Sequence, residues 1–135
     1  MSNELTLSII KPDAVERNLT DEIKNIFTKN SLKIKDSKKI HITKEEAAEF
    51  YRVHQSKPFY NDLCAYLSSG PIEVLILEGE NAVVANRKLM GATNPKEADE
   101  NTIRKLYGIS IDKNSVHGSD SVDNAKKEIE FFFKN

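Results

Sequence analysis

With 135 residues, 39% of them hydrophobic and 30% charged, the chain is predicted to be a single domain over residues 1–135 with one core of ordinary globular composition. Its 20 basic side chains nearly balance its 21 acidic ones, and the net charge of −1 disfavours nucleic acid as the main partner. No apolar run approaches the ~20 residues that span a bilayer, Met1-Ser2-Asn3-Glu4 is not a basic lead into an apolar stretch, and the lone Cys64 makes no internal disulfide, so no membrane segment, no signal peptide and a cytoplasmic location are expected.

Leu5, Leu7 and Ile9 alternate with Thr6, Ser8 and Ile10 and predict a strand. Lys11-Pro12-Asp13 ends it, because proline offers a ladder no donor and restricts the residue before it. Thr20 is expected to cap a helix with Asp21 and Glu22 in its first turn and Ile23, Ile26 and Phe27 along one stripe. Asn30 should stop it, since asparagine tolerates a left-handed conformation. Residues 32–42 read as a strand with a polar middle. Thr43-Lys44-Glu45-Glu46 matches a capping box ahead of a helix carrying Ala47, Phe50 and Tyr51, which Ser56-Lys57-Pro58 breaks. A short helix over 61–69 stops at Gly70-Pro71. Residues 72–77 are nearly all apolar, as in a central strand buried on both faces. Residues 81–90 should be helical as far as Gly91, followed by the loop Gly91-Ala92-Thr93-Asn94-Pro95 and one or two helical turns over 102–107. A last helix over 121–132 places Val122, Ala125, Ile129 and Phe132 at helical spacing. About four strands among several short helices suggest an α+β sandwich, with a doubly wound sheet as the alternative.

One run concentrates chemistry: Asn114-Ser115-Val116-His117-Gly118-Ser119-Asp120-Ser121. Histidine keeps an abundant neutral lone pair at neutral pH. The glycine after it lets another group approach closely, and the small polar residues can cap the next helix, whose first N–H groups suit an anion. Alone, the run would read as a surface loop before a helix. Glu128 lies two helical turns beyond Ser121, on the same side, where a carboxylate can orient the imidazole or hold Ser119. Lys11 at a strand end, with Arg87 and Arg104 near turns, supplies three cations that together suit a polyphosphate, although each alone reads as a solvated charge. Thr93 offers a hydroxyl among loop amides. Phe59 beside Pro58 is either a core aromatic or a stacking platform for a base. The chain has no G-x-x-x-x-G-K-[ST], no G-x-G-x-x-G, no H-R-D and no D-F-G, so phosphoryl transfer would need another arrangement. His41, His54 and His117 lack metal-ligand spacing, and no protein-held metal is expected. Cys64, between Leu63 and Ala65, reads as a small buried hydrophobe.

These residues resemble the nucleoside diphosphate kinase family, and its compact bacterial members most. The matching stretches are Thr6-Leu7-Ser8-Ile9-Ile10-Lys11-Pro12-Asp13-Ala14-Val15, Lys57-Pro58-Phe59-Tyr60, Ser69-Gly70-Pro71 and Leu77-Glu78-Gly79-Glu80-Asn81-Ala82-Val83. They continue with Met90-Gly91-Ala92-Thr93-Asn94-Pro95, Thr102-Ile103-Arg104 and Val116-His117-Gly118-Ser119-Asp120-Ser121. The resemblance implies a ferredoxin-like α+β sandwich, a four-stranded antiparallel sheet with helices on one face. It implies transfer of the γ-phosphate of ATP to nucleoside diphosphates by a ping-pong route through a phosphohistidine at His117. It also implies that Lys11, Arg87, Thr93 and Arg104 hold phosphates and that Tyr51 reaches toward Lys11 and the γ-phosphate. By the same resemblance Phe59 stacks on the base with Leu63 and Ile111 on its other side, Asn114 and Lys11 meet the sugar hydroxyls, and Glu128 supports the histidine through Ser119. Mg²⁺ would arrive on the nucleotide phosphates, and the chain would form a homo-oligomer, a tetramer or a hexamer. Asn18 and Asp21 stand where glycine is frequent in the family, and Leu106 where an acidic residue is usual.

Two other function classes make different predictions. A silent nucleotide-binding module would take no phosphoryl group from ATP, and a phosphohistidine relay would take one but turn over nucleoside diphosphates poorly.

Overall fold

Four strands build one sheet in the order β2-β3-β1-β4: β1 (Asn3–Ile10), β2 (Lys33–Ile40), β3 (Ile72–Glu80) and β4 (Val116–Gly118). The computed structural model describes residues 3–52, 55–58, 60–109 and 115–133. All three strand pairings are antiparallel, which removes the doubly wound alternative. Seven α-helices accompany the sheet among the described residues, with a 3₁₀ turn over Pro95–Glu97: α1 (Pro12–Glu16), α2 (Thr20–Lys29), α3 (Lys44–Phe50), α4 (Tyr60–Leu67), α5 (Ala82–Met90), α6 (Ile103–Tyr107) and α7 (Val122–Phe133).

The central strands explain the layering. Successive side chains of a strand point to opposite faces. On β1, Leu7 and Ile9 enter one apolar cluster and Ile10 the other. On β3, Ile72 and Val74 part in the same way from Leu75 and Leu77. One cluster is closed by Ile23 and Phe27 of α2 with Ala82 and Met90 of α5, and the opposite one by Ala47 of α3, Leu67 of α4 and Phe132 of α7. Helices therefore cover both faces of the sheet, where the family resemblance implied one. The cause is the apolar run of β3, which has to be covered on both sides. Phe27, Leu75, Leu77 and Leu67 are fully buried, each stabilising the fold by roughly 1.5–3 kcal/mol relative to exposure.

Several expected boundaries move for local reasons. Pro12 ends β1 and at once opens α1, because a first-turn proline lacks only an N–H that the helix leaves unpaired anyway. Thr20 is the first residue of α2 rather than its cap; Leu19 occupies the N-cap with no side-chain bond. Asn30 does end α2, at φ −108°, and its Nδ2 donates to the Ile26 carbonyl at 2.7 Å. The left-handed residue is Ser31, at φ 68°. The polar middle of β2 carries a register shift between Ile34 and Asp36. The capping box at Thr43 forms as expected, with Glu46 N–H on Thr43 Oγ1 at 3.1 Å and Thr43 N–H on Glu46 Oε1 at 2.9 Å. The largest change concerns His117, expected in a loop and found in the middle of β4, the three-residue edge strand, opposite Ile9 of β1.

Candidate functional site

The alternation of β4 sorts its residues. Val116 joins the cluster under α2 and α5, Gly118 meets α5, and His117 faces the α3–α7 side. A Cβ on Gly118 would collide with Asn86 Nδ2 and lie 2.9 Å from Met90 Sδ. The glycine after the histidine is therefore required by the close approach of α5, as the motif suggested. Asn86 is fully buried there, with Nδ2 3.9 Å from Met90 Sδ.

His117 Nε2 lies 3.0 Å from Glu128 Oε1, and Ser119 Oγ donates to the same oxygen at 2.9 Å. Glu128 sits mid-helix on α7 and reaches back to β4, and Ser121 Oγ accepts from Asn124 N–H at 3.1 Å at the start of that helix. An ionised carboxylate only accepts hydrogen bonds, so this contact puts the imidazole proton on Nε2 and leaves Nδ1 as the bare nitrogen. Phe50 at the end of α3 meets the imidazole edge-on, with ring centroids 5.3 Å apart. Its other neighbours are Tyr51, Phe131 and Phe132. Tyr51 is buried, and burial first, then the charges of Cys64 and Glu128, push its phenol up, so it stays a protonated donor.

The cations are assembled by different elements. Lys11, buried at the N-cap of α1, is anchored through its backbone N–H, which donates to the Ser115 carbonyl at 2.8 Å, two residues before His117. Arg104 on α6 is also buried. Its Nη1 donates to the Gly91 carbonyl and its Nη2 to the Val116 carbonyl, both at 3.0 Å. Arg104 Nε is buried with no partner among the described residues. Burial, and then the charge of Arg87, bring the Arg104 guanidinium down to about 10. Two cations close enough to disfavour each other form a place where an anion is welcome. Arg87 itself is exposed in the last turn of α5. Asp120 lies within reach of the same charges: the Asn124 side chain first, with help from Arg87 and His117, draws its carboxyl down. Gly91, at φ 86°, turns the chain out of α5 into the loop that carries the exposed Thr93.

The structure thus groups His117, Ser119, Glu128, Lys11 and Arg104 through direct bonds around β4, with Arg87 beside Arg104 and Tyr51 one ring away behind Phe50. Leu63 lies half-buried on α4 against the α3–α7 cluster, and no direct bond ties it to that group. Phe59, Ile111 and Asn114 fall outside the described residues. Sequence reasoning missed Phe50 and Asn86. Phe50 carries only a helical apolar signal, and Asn86 sits mid-helix with nothing to mark it.

The nucleoside diphosphate kinase family profile matches residues 4–135. A nucleoside diphosphate kinase of Rhizorhabdus wittichii is 58% identical over 134 residues, covering 99% of this chain and 96% of the relative. One from Campylobacter jejuni is 57% identical over 131 residues, covering 97% and 96%. In structure, the chain is similar to the Aquifex aeolicus nucleoside diphosphate kinase, with a TM-score of 0.97 at 39% identity over 99% of this chain and 97% of that one. It is also similar to the Encephalitozoon cuniculi enzyme, with a TM-score of 0.94 at 38% identity over 98% and 90%. The chain belongs to the nucleoside diphosphate kinase family, and it is an enzyme of that family.

Proposed function

We propose that the chain, as a single domain, transfers the γ-phosphate of ATP to nucleoside diphosphates through a phosphohistidine on His117. The observation that carries this reading is the Glu128 carboxylate on His117 Nε2 at 3.0 Å, which leaves Nδ1 free to attack. In the first half-reaction Nδ1 bonds to the γ-phosphorus, the bond to the β–γ bridging oxygen breaks, and ADP leaves with that oxygen. In the second, a terminal β-phosphate oxygen of the incoming diphosphate attacks the same phosphorus and the N–P bond breaks. A covalent intermediate lets one pocket serve donor and acceptor in turn.

Positioning and charge neutralisation carry such a transfer. Lys11, Arg87, Thr93 and Arg104 hold the phosphates. Tyr51, kept as a neutral phenol, donates toward the γ-phosphate. Phe59 stacks on the base with Leu63 and Ile111, and Asn114 and Lys11 hold the sugar. No group of three His, Cys, Asp or Glu side chains converges among the described residues. Mg²⁺ is assigned to the nucleotide phosphates, as part of the substrate, because those phosphates carry the charge it neutralises.

Among the described residues no helix is long and apolar enough to cross a membrane. A cytoplasmic place suits a nucleotide substrate and the buried free thiol of Cys64. A homo-oligomer, tetramer or hexamer, is the proposed assembly, and mass in solution decides its size.

The test is turnover with ATP as donor and GDP or dTDP as acceptor. Parallel-line, ping-pong kinetics with comparable efficiency on both acceptors is expected. Negligible triphosphate formation on either would leave a relay or a silent binding module in its place.

A further inference from the structure

β4 is too short to hold a nucleophile by itself. It has three residues and pairs on one side only, with β1. Its downstream end is pinned, because Ser119 N–H donates to the Leu7 carbonyl at 3.1 Å and Ser119 Oγ reaches Glu128. The upstream end takes the Arg104 guanidinium on the Val116 carbonyl and the Lys11 backbone N–H on the Ser115 carbonyl, and a second group of residues, none of which carries phosphate in the reading above, holds it as well.

Ser115 starts that end in a left-handed conformation at φ 74°, which a non-glycine residue keeps only where its surroundings hold it. It is fully buried, and its Oγ donates to Asp13 Oδ2 at 2.9 Å. The Asp13 side chain is 4% exposed, so its charge needs partners. Arg17 supplies one: Nη2 donates to Asp13 Oδ2 at 3.1 Å, to Ser115 Oγ at 3.3 Å and to the Tyr107 carbonyl at 2.6 Å. Tyr66 supplies the other. Its hydroxyl donates to Asp13 Oδ1 and accepts from Asp13 N–H at 2.9 Å. Arg17 thus ties the end of α6 to the start of β4, and Asp13 ties both to the segment that carries Lys11. An outer groove of about 500 Å³, lined by Glu16, Arg17, Tyr66, Ser69 and Ile109 among others, leaves the Arg17 side open to small solutes.

We propose that Asp13, Arg17, Tyr66 and Ser115 form a clamp that positions His117 for attack by fixing the upstream end of β4. The proposal rests on the phosphohistidine reading for its effect on rate. These are positioning residues, acting through Ser115 on a histidine two residues away. Loss of one clamp bond lets β4 shift against α7, and the imidazole then meets Glu128 less often in the geometry that bares Nδ1.

The test uses the full chain with Tyr66→Phe and Ser115→Ala, each removing one hydroxyl and leaving the Asp13–Arg17 pair in place. Single-turnover phosphorylation at saturating Mg-ATP should slow by about tenfold, equivalent to ~1.4 kcal/mol, while ATP affinity stays within about a factor of two. The ¹⁵N spectrum of the His117 ring in nucleotide-free protein should change from one tautomer to a mixture. Arg17→Ala should regain rate with added ethylguanidinium, which the groove admits. Unchanged rates and ring spectra in both variants, or losses shared equally between rate and affinity, would overturn the clamp. If wild-type protein takes no phosphoryl group, the kinase reading fails. The ring spectrum then decides the clamp alone: a mixture of tautomers supports it and an unchanged spectrum overturns it.

Discussion

At the residue scale the site turns on one carboxylate oxygen with two donors. Glu128 Oε1 takes both His117 Nε2 and Ser119 Oγ, and the charge on that oxygen selects the tautomer. Hydrogen bonds to charged groups are worth roughly 1.5–3 kcal/mol, so Glu128→Gln should slow His117 phosphorylation by about 10- to 100-fold. ATP affinity should hardly change, because Glu128 is turned to the histidine and not to the cations. Single-turnover rates beside equilibrium binding check this, and an equal loss in both would mean that Glu128 is part of the phosphate pocket. Part of this was legible in the sequence, because Glu128 lies two helical turns beyond Ser121 and so faces back toward His117 and Ser119. Phe50 and Asn86 were not legible. Each touches the His117–Gly118 pair from a helix distant in sequence, and only the packing of α3 and α5 on the sheet brings them there.

At the element scale the decisive contact is α5 against β4. Asn86 and Met90 occupy the space that a side chain on residue 118 would need. Gly118→Ala should destabilise the fold by about 1–3 kcal/mol through overpacking, read as a lower urea midpoint at unchanged slope. Truncating Asn86 to Ala in the same chain should return part of that loss, since contacting residues couple. Additive losses would place the strain elsewhere. β4 escaped detection because strand formation in three residues, Val-His-Gly, comes from pairing with β1 rather than from any alternation. α1 escaped for a related reason, since its five residues begin with a proline that also reads as a strand end.

At the scale of the molecule, a sheet covered on both faces keeps the two tasks apart. α5 and α6 bring Arg87 and Arg104 to one flank of β4, while α3 and α7 bring Phe50, Tyr51 and Glu128 to the other. The two-sided sheet was partly legible in the apolar run of β3, but which helix covers which face depends on the antiparallel order β2-β3-β1-β4, and no single segment encodes that order. The site has the same origin. Lys11 and Ser115 are neighbours only because β1 and β4 end side by side. The central claim is that this assembly makes His117 a temporary carrier of a phosphoryl group. Incubation with Mg-ATP and no acceptor tests it most directly. Wild-type protein should gain one phosphoryl group per chain, labile in acid and stable in base, with none on His117→Ala; protein that stays unlabelled, or a His117→Ala variant that labels equally, would contradict it.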